Sequence, residues 1–118
     1  MEFILADGDG IGDRMELLLL DHRTEDAQLF SGAIQSGIVS VSMLIREAGH
    51  NMIFAGGDEI LAVTMASFSD DLLQKLRQTF YAVVGCTLSI GVGSYPSAAL
   101  AALRRVKLLG KNQIVLGG

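Results

Sequence analysis

Apolar positions along the chain follow two periods. "EFILA" (2–6), "HNMIFA" (50–55), "EILAVT" (59–64), "CTLSIGVG" (86–93) and "QIVL" (113–116) are short runs rich in strand formers, bounded by Gly, Asp, Ser or Pro. The first stops at "DGDGIGD" (7–13), which reads as a loop, with a helical turn or two at 14–20. A helical period then holds over 24–49, with Phe30, Ile34, Ile38, Val41, Ile45 and Ala48 on one face. Glu25 and Asp26 suit its first turn, and Gly49 suits its end. Ser69 is placed to cap a helix running to about residue 83, and Phe68 with Leu73 has the spacing of a hydrophobic staple. Pro96 opens a last helix that Gly110 ends.

The order is β-α-β-β-α-β followed by α-β, so we expect an α+β, ferredoxin-like fold with an added αβ unit, a mixed sheet and helices on one face. A right-handed crossover makes the first two strands parallel with a gap between them. The hairpin partner fills that gap, antiparallel to the first strand. This topology sets Asp7, at the end of strand one, beside Asp58 and Glu59, at the start of strand three. Three carboxylates distant in sequence are expected to meet at one end of the sheet. In the strand at 86–93 Leu88, Ile90 and Val92 form a packing face, and Thr87, Ser89 and Gly91 keep the other low.

Composition narrows the picture. The 118 residues, half of them hydrophobic, suffice for one domain over 1–118 with one core. A net charge of −4 argues against a surface that embraces a long nucleic acid. One cysteine, Cys86, allows no intrachain disulfide, and no Cys/His spacing suits zinc. The N-terminal run is too short and lacks the basic flank of a secretion signal, and Leu17 to Leu20 is far too short for a membrane span, so a cytoplasmic protein without membrane contact is expected. No charged residue lies between Ala27 and Ile45, so the long helix is expected to be covered on more than one side, by a second subunit in a homodimer.

Clustered carboxylates repel, and a divalent cation relieves the repulsion. Oxygen ligands at an open site suit two Mg²⁺ or Mn²⁺ ions shared with substrate phosphates. "DGDGIG" is not an EF-hand, because Ile11 and Leu18 stand at liganding positions, and no Gly-Lys-Ser/Thr makes it a P-loop. Its unobstructed N–H groups can instead line a phosphate pocket, with Lys107 and Lys111 supplying positive charge.

"FAGGDEILAV" (54–63) resembles the signature hairpin of GGDEF diguanylate cyclases and of the type III CRISPR polymerase palm, and "TLSIGVGSYPSAALAALRRVKLLGKNQIVL" (87–116) resembles the cyclase C-terminal pattern. The short length, "DGDGIG" and "AGGDE" are most similar to the minimal CRISPR polymerases. The resemblance implies a palm that joins nucleoside triphosphates into a cyclic nucleotide messenger of antiviral signalling, with ATP favoured and cyclic di-adenylate as product. It implies Asp7 and Asp58 as metal ligands with the Gly8 carbonyl, and Glu59 as ligand or general base. Asp9 would be a secondary ligand, and Gly8, Gly10, Ile11, Gly12, Gly57 and Ser89 would line the phosphate site with Lys107 and Lys111. The Phe-Lys and Asn-Asp pairs that seat guanine in the cyclases are replaced by Ile11-Gly12 and Met15-Glu16. The Arg-x-x-Asp product-inhibition motif, which would fall on Glu47 to His50, is absent. A palm that binds a nucleotide without turning it over is the alternative.

Overall fold

A computed structural model describes residues 1–117; Gly118, the last residue of the expected domain, lies outside the described residues. The elements are β1 (Glu2–Gly8), α1 (Ile11–Leu20), α2 (Thr24–Glu47), β2 (Asn51–Gly56), β3 (Glu59–Thr64), α3 (Asp70–Val84), β4 (Leu88–Gly93), α4 (Pro96–Leu108) and β5 (Ile114–Leu116). The sheet order is β2-β3-β1-β4-β5. β3 fills the gap between β1 and β2, antiparallel to both, and β5 joins β4 in parallel. The expected α+β palm with a five-stranded mixed sheet is what the chain adopts.

Alternation along the strands sorts the core into two layers. Ile4 and Ala6 of β1, Ile60 and Ala62 of β3 and Ile90 and Val92 of β4 face α2 and α3. Phe30, Ile34, Ile38, Val41 and Ile45 of α2 meet them, while Ala48 is exposed. Length and composition alone would let α2 cross a membrane, yet this buried stripe packs on the sheet. Ser69 accepts from the Leu72 N–H at 3.1 Å, and Phe68 and Leu73 are buried, as the cap and staple require. His50 packs edge-on against Phe68, with ring centroids 4.7 Å apart.

The arrangement of helices departs from expectation in one respect. Leu5 packs with Ala99 and Leu103 of α4, flanked by Phe3 and Leu61, so α4 covers the sheet face opposite α2 and α3. The low face of β4 explains this: a Cβ on Gly91 or Gly93 would lie within 3 Å of α4 backbone atoms. Hydrogen at these positions lets the helix approach closely enough to carry Lys107 over the end of β1.

α1 is also longer than expected. Gly10 takes a left-handed conformation, φ 69°, and the helix starts immediately after it at Ile11, inside the stretch read as a loop. Glycine reaches that conformation without a Cβ clash, which converts a Gly/Asp turn into a helix start.

Candidate active site

Asp7 and Glu59 are direct partners in the β1–β3 register, and the Gly8 N–H donates to the Asp58 carbonyl at 3.1 Å. The Asp7 and Asp58 carboxyl groups lie close enough to perturb one another. Burial first, and then the hydrogen-bonding proximity and like charge of Asp58, push the Asp7 carboxyl up to about 6, against the opposing pull of Lys107. The expected meeting of three carboxylates is therefore met by two. Glu59 stands opposite Asp7 on the backbone, but among the described residues no three His, Cys, Asp or Glu side chains converge as a metal cage.

Lys107, in the last turn of α4, reaches this rim. Its Nζ lies 2.6 Å from Asp9 Oδ1, 3.4 Å from Asp7 Oδ2 and 3.2 Å from the Gly8 carbonyl oxygen. The Asp7 carboxylate and the Gly8 carbonyl are oxygens of the kind a hard divalent cation takes, and the Asp7–Asp58 repulsion is what such a cation relieves, so the donor set fits Mg²⁺ or Mn²⁺.

Asp9 departs from its expected place as a ligand. Its carboxylate accepts from Thr87 Oγ1 at 2.7 Å, Ser89 Oγ at 2.7 Å, Lys107 Nζ at 2.6 Å and the Asn112 N–H at 3.0 Å. Burial acts to raise its pKa, but the bonds from Lys107, Ser89, Thr87 and Asn112 together hold it below the usual carboxylate value. These donors use the directions a metal would need, and Asp9 is buried. Ser89 is likewise corrected: with no exposed surface, it lies beneath the site as part of this knot and cannot line a phosphate pocket. The alternation of Thr87 and Ser89 was visible along β4. Their partner in Asp9 was not, because it is 78 and 80 positions away.

Replacing Asp9 by Ala would strand the Thr87 and Ser89 hydroxyls, which donate to nothing else, and would take one partner each from Lys107 and the Asn112 N–H. We expect a loss of roughly 2–4 kcal/mol in urea unfolding, because buried donors left without an acceptor bear their full desolvation cost. A loss below about 0.5 kcal/mol, the scale of an ordinary surface change, would contradict the knot.

The other expected phosphate-site residues lie around the same end of the sheet. Gly10 caps α1 without a side-chain cap, leaving the first-turn N–H groups of Ile11 and Gly12 without intrahelical acceptors. Gly57 sits in the β2–β3 turn next to Asp58. Lys111 is exposed in the α4–β5 turn, with φ 66°. Two participants were not singled out from the sequence. Asn112 donates its N–H to Asp9 and Ser89, and Arg77 of α3 holds Asn112 by its carbonyl and side-chain oxygens at 2.6 and 2.7 Å.

No curated protein matches this sequence. Among solved structures, the active GGEEF domain of a diguanylate cyclase from Vibrio cholerae superposes with a TM-score of 0.66 at 17% identity, over 99% of this chain and 82% of that one. The GGDEF domain of DgcB from Caulobacter crescentus, solved in complex with c-di-GMP, gives a TM-score of 0.66 at 17% identity, over 98% of this chain and 76% of its own. At that identity these likenesses speak for the fold, a GGDEF palm. Residues 3–116 match the minimal CRISPR polymerase domain, and with the palm fold and its acidic rim in place, this chain belongs to that family, mCpol.

Proposed function

We propose that this protein is a metal-dependent nucleotidyltransferase that converts ATP into a cyclic dinucleotide, working as a homodimer in cytoplasmic antiviral signalling. The observation that carries the reading is the Asp7–Asp58 carboxyl pair beside the Gly8 carbonyl, on one rim with Lys107. Asp7, Asp58 and the Gly8 carbonyl would hold the metal pair, with Glu59 completing the acidic edge. Bound Mg²⁺ or Mn²⁺ would supply charge neutralisation at the phosphates and a more acidic ribose hydroxyl.

The chain's own groups account for the rest. N–H groups at the start of α1 orient the phosphates, and Lys107 and Lys111 balance their charge. A ribose hydroxyl oxygen of one nucleotide forms a bond to the α-phosphorus of the other, the bond to the bridging oxygen breaks, and pyrophosphate leaves. Glu59 takes the hydroxyl proton. Repetition of the step in the opposite sense closes the ring. Alignment of the two nucleotides supplies much of the rate.

A groove of about 550 Å³ runs between α1 and α2, lined by Arg14, Leu17, Leu18, Phe30 and Val84 among others, with the Arg14 guanidinium 4.5 Å from the Phe30 ring centroid. It begins one helical turn beyond Gly10 and suits a flat base. On α2, Leu29, Val39 and Met43 are exposed in a helix without charge from Ala27 to Ile45, which supports pairing of two copies there. Val39→Glu combined with Met43→Glu is expected to yield a monomer by sedimentation and to abolish cyclic product. A variant that still sediments as a dimer would place the interface elsewhere.

Purified protein supplied with each of the four triphosphates should release pyrophosphate only with Mg²⁺ or Mn²⁺, fastest from ATP, and mass spectrometry should find a cyclic dinucleotide. Asp58→Ala should be inactive; release at the parental rate would sink the assignment. One observation favours the alternative of binding without turnover. The Lys107 ammonium already lies on Asp7 and the Gly8 carbonyl, the same oxygens that the metals require. ATP bound by a protein that releases no pyrophosphate would select that alternative.

A further inference from the structure

The Gly110-Lys111-Asn112 turn borders the site, and the proposed chemistry does not explain how it keeps its shape. Lys111 and Asn112 both have left-handed backbones, with φ 66° and 51°. Asn tolerates this conformation and Lys adopts it rarely, so the surroundings must impose it. They do so from two directions. On the site's side, the Asn112 N–H is held by Asp9 Oδ2 at 3.0 Å and Ser89 Oγ at 2.9 Å. From α3, on the opposite face of the sheet to α4, Arg77 Nη2 donates to the Asn112 carbonyl oxygen at 2.6 Å and to Asn112 Oδ1 at 2.7 Å, while its Nη1 donates to Gln74 Oε1 at 2.8 Å.

We propose that Arg77 is a positioning residue for the triphosphate-binding lysines, acting through Asn112 and Asp9 on Lys107 and through the left-handed turn on Lys111. The proposal rests on the reading that these lysines meet the phosphates. The links are continuous: Arg77 grips Asn112, Asn112 donates to Asp9, and Asp9 accepts from Lys107 at 2.6 Å. The turn joins α4, which carries Lys107, to β5, and it bears Lys111 itself, so fixing Asn112 restricts both lysines.

Packing alone does not account for this guanidinium. The Arg77 Nε–H is buried without an acceptor, a cost that an apolar side chain of similar length would avoid. What the arginine adds is a planar fork, with Nη1 fixed on Gln74 Oε1 and Nη2 thereby aimed at both oxygens of Asn112. A lysine ammonium on a flexible stem does not reproduce that geometry.

Arg77→Met keeps the stem and removes the fork. Because the lysines hold the triphosphate in ground and transition states alike, KM for ATP is expected to rise about tenfold with kcat within about twofold of the parent. Arg77→Lys should not restore it. The second readout needs no turnover: acylation of lysine amines by acetic anhydride, read by mass spectrometry. In the parent, half-buried Lys107 should react several-fold more slowly than exposed Lys75, and in Arg77→Met that difference should shrink while Lys75 is unchanged.

A folded Arg77→Met with parental Lys107 acylation and parental KM would overturn the proposal. So would a KM effect matched by Arg77→Lys rescue. If the parent itself turns over no triphosphate, the cyclase reading fails while the acylation result still decides the positioning role. If Arg77→Met does not fold, Asn112→Gly serves. It keeps the N–H to Asp9 and accommodates the positive φ, and it removes only the Oδ1 link. It should expose Lys107 in the same direction, and unchanged acylation there would equally refute the relay.

Discussion

Asp7→Asn is expected to reduce metal-dependent pyrophosphate release by roughly 10³-fold or more, about 4 kcal/mol of transition-state stabilisation, while raising the melting temperature of the metal-free protein. Both effects have one cause. Asp7 is held against Asp58 in a partly buried position, where its charge would serve an incoming cation and, without one, costs stability. Its carboxyl binds a proton more tightly folded, at about 6, than at the ordinary value of 3.8. The folded state is therefore favoured below the ordinary value, and that advantage disappears as pH rises through about 6.

An asparagine carries no charge at any pH, so its advantage should be about half as large at pH 5 as at pH 7.5. The Asp7 side chain is 31% exposed, so solvent screening limits the gain to roughly 1 kcal/mol, a few degrees of melting temperature. Thermal melts in chelator at the two pH values check this. A variant less stable than the parent at pH 7.5, or one with undiminished turnover, would show that Asp7 is not a strained ligand.

Gly91→Ala is expected to destabilise the fold by about 3 kcal/mol, at the severe end of overpacking, although it adds a single methyl group. The atoms that methyl meets are the Ala99 carbonyl oxygen and the Leu103 backbone, which cannot turn aside as a side-chain end could. Relief requires α4 to lift from the sheet, and Lys107 lifts with it. Activity should therefore fall even at temperatures where the variant remains folded. Gly32→Ala is the contrasting case. It lies exposed in the interior of α2 with nothing near its Cβ position, and should stabilise the protein by roughly 0.5–1 kcal/mol. Urea titrations of the two variants should move in opposite directions; a neutral Gly91→Ala would mean that α4 adapts at little cost.

The strands, the long helix and the β3–β1 juxtaposition were readable because local periods encode them. A short apolar run such as "EILAVT", bounded by turn residues, reads as a strand, and a hairpin beside a right-handed crossover leaves few sheet orders. The capping Ser69 and the terminal Gly49 and Gly110 act within a few residues of their targets, and they too were visible. The start of α1 was misread for a related reason. "DGDGIGD" has the composition of a turn, and only the left-handed Gly10 turns it into a helix start. Asp9 looked like a ligand because acidic residues two positions apart in a Gly-rich stretch have no local feature that separates a metal ligand from a buried acceptor.

By itself, the order of residues determined the palm topology and the nearness of Asp7 to Asp58, since both follow from alternation, turn chemistry and the handedness of a crossover. Only the tertiary structure decided which acids are free and which are spent, which face α4 covers, and that Arg77 holds Asn112. Those outcomes depend on partners such as Thr87, Ser89, Lys107 and Asn112, brought to Asp9 across 78 to 103 positions of chain. A hydrogen bond between such distant groups leaves no periodic trace along the sequence, and it comes into being when the layers pack.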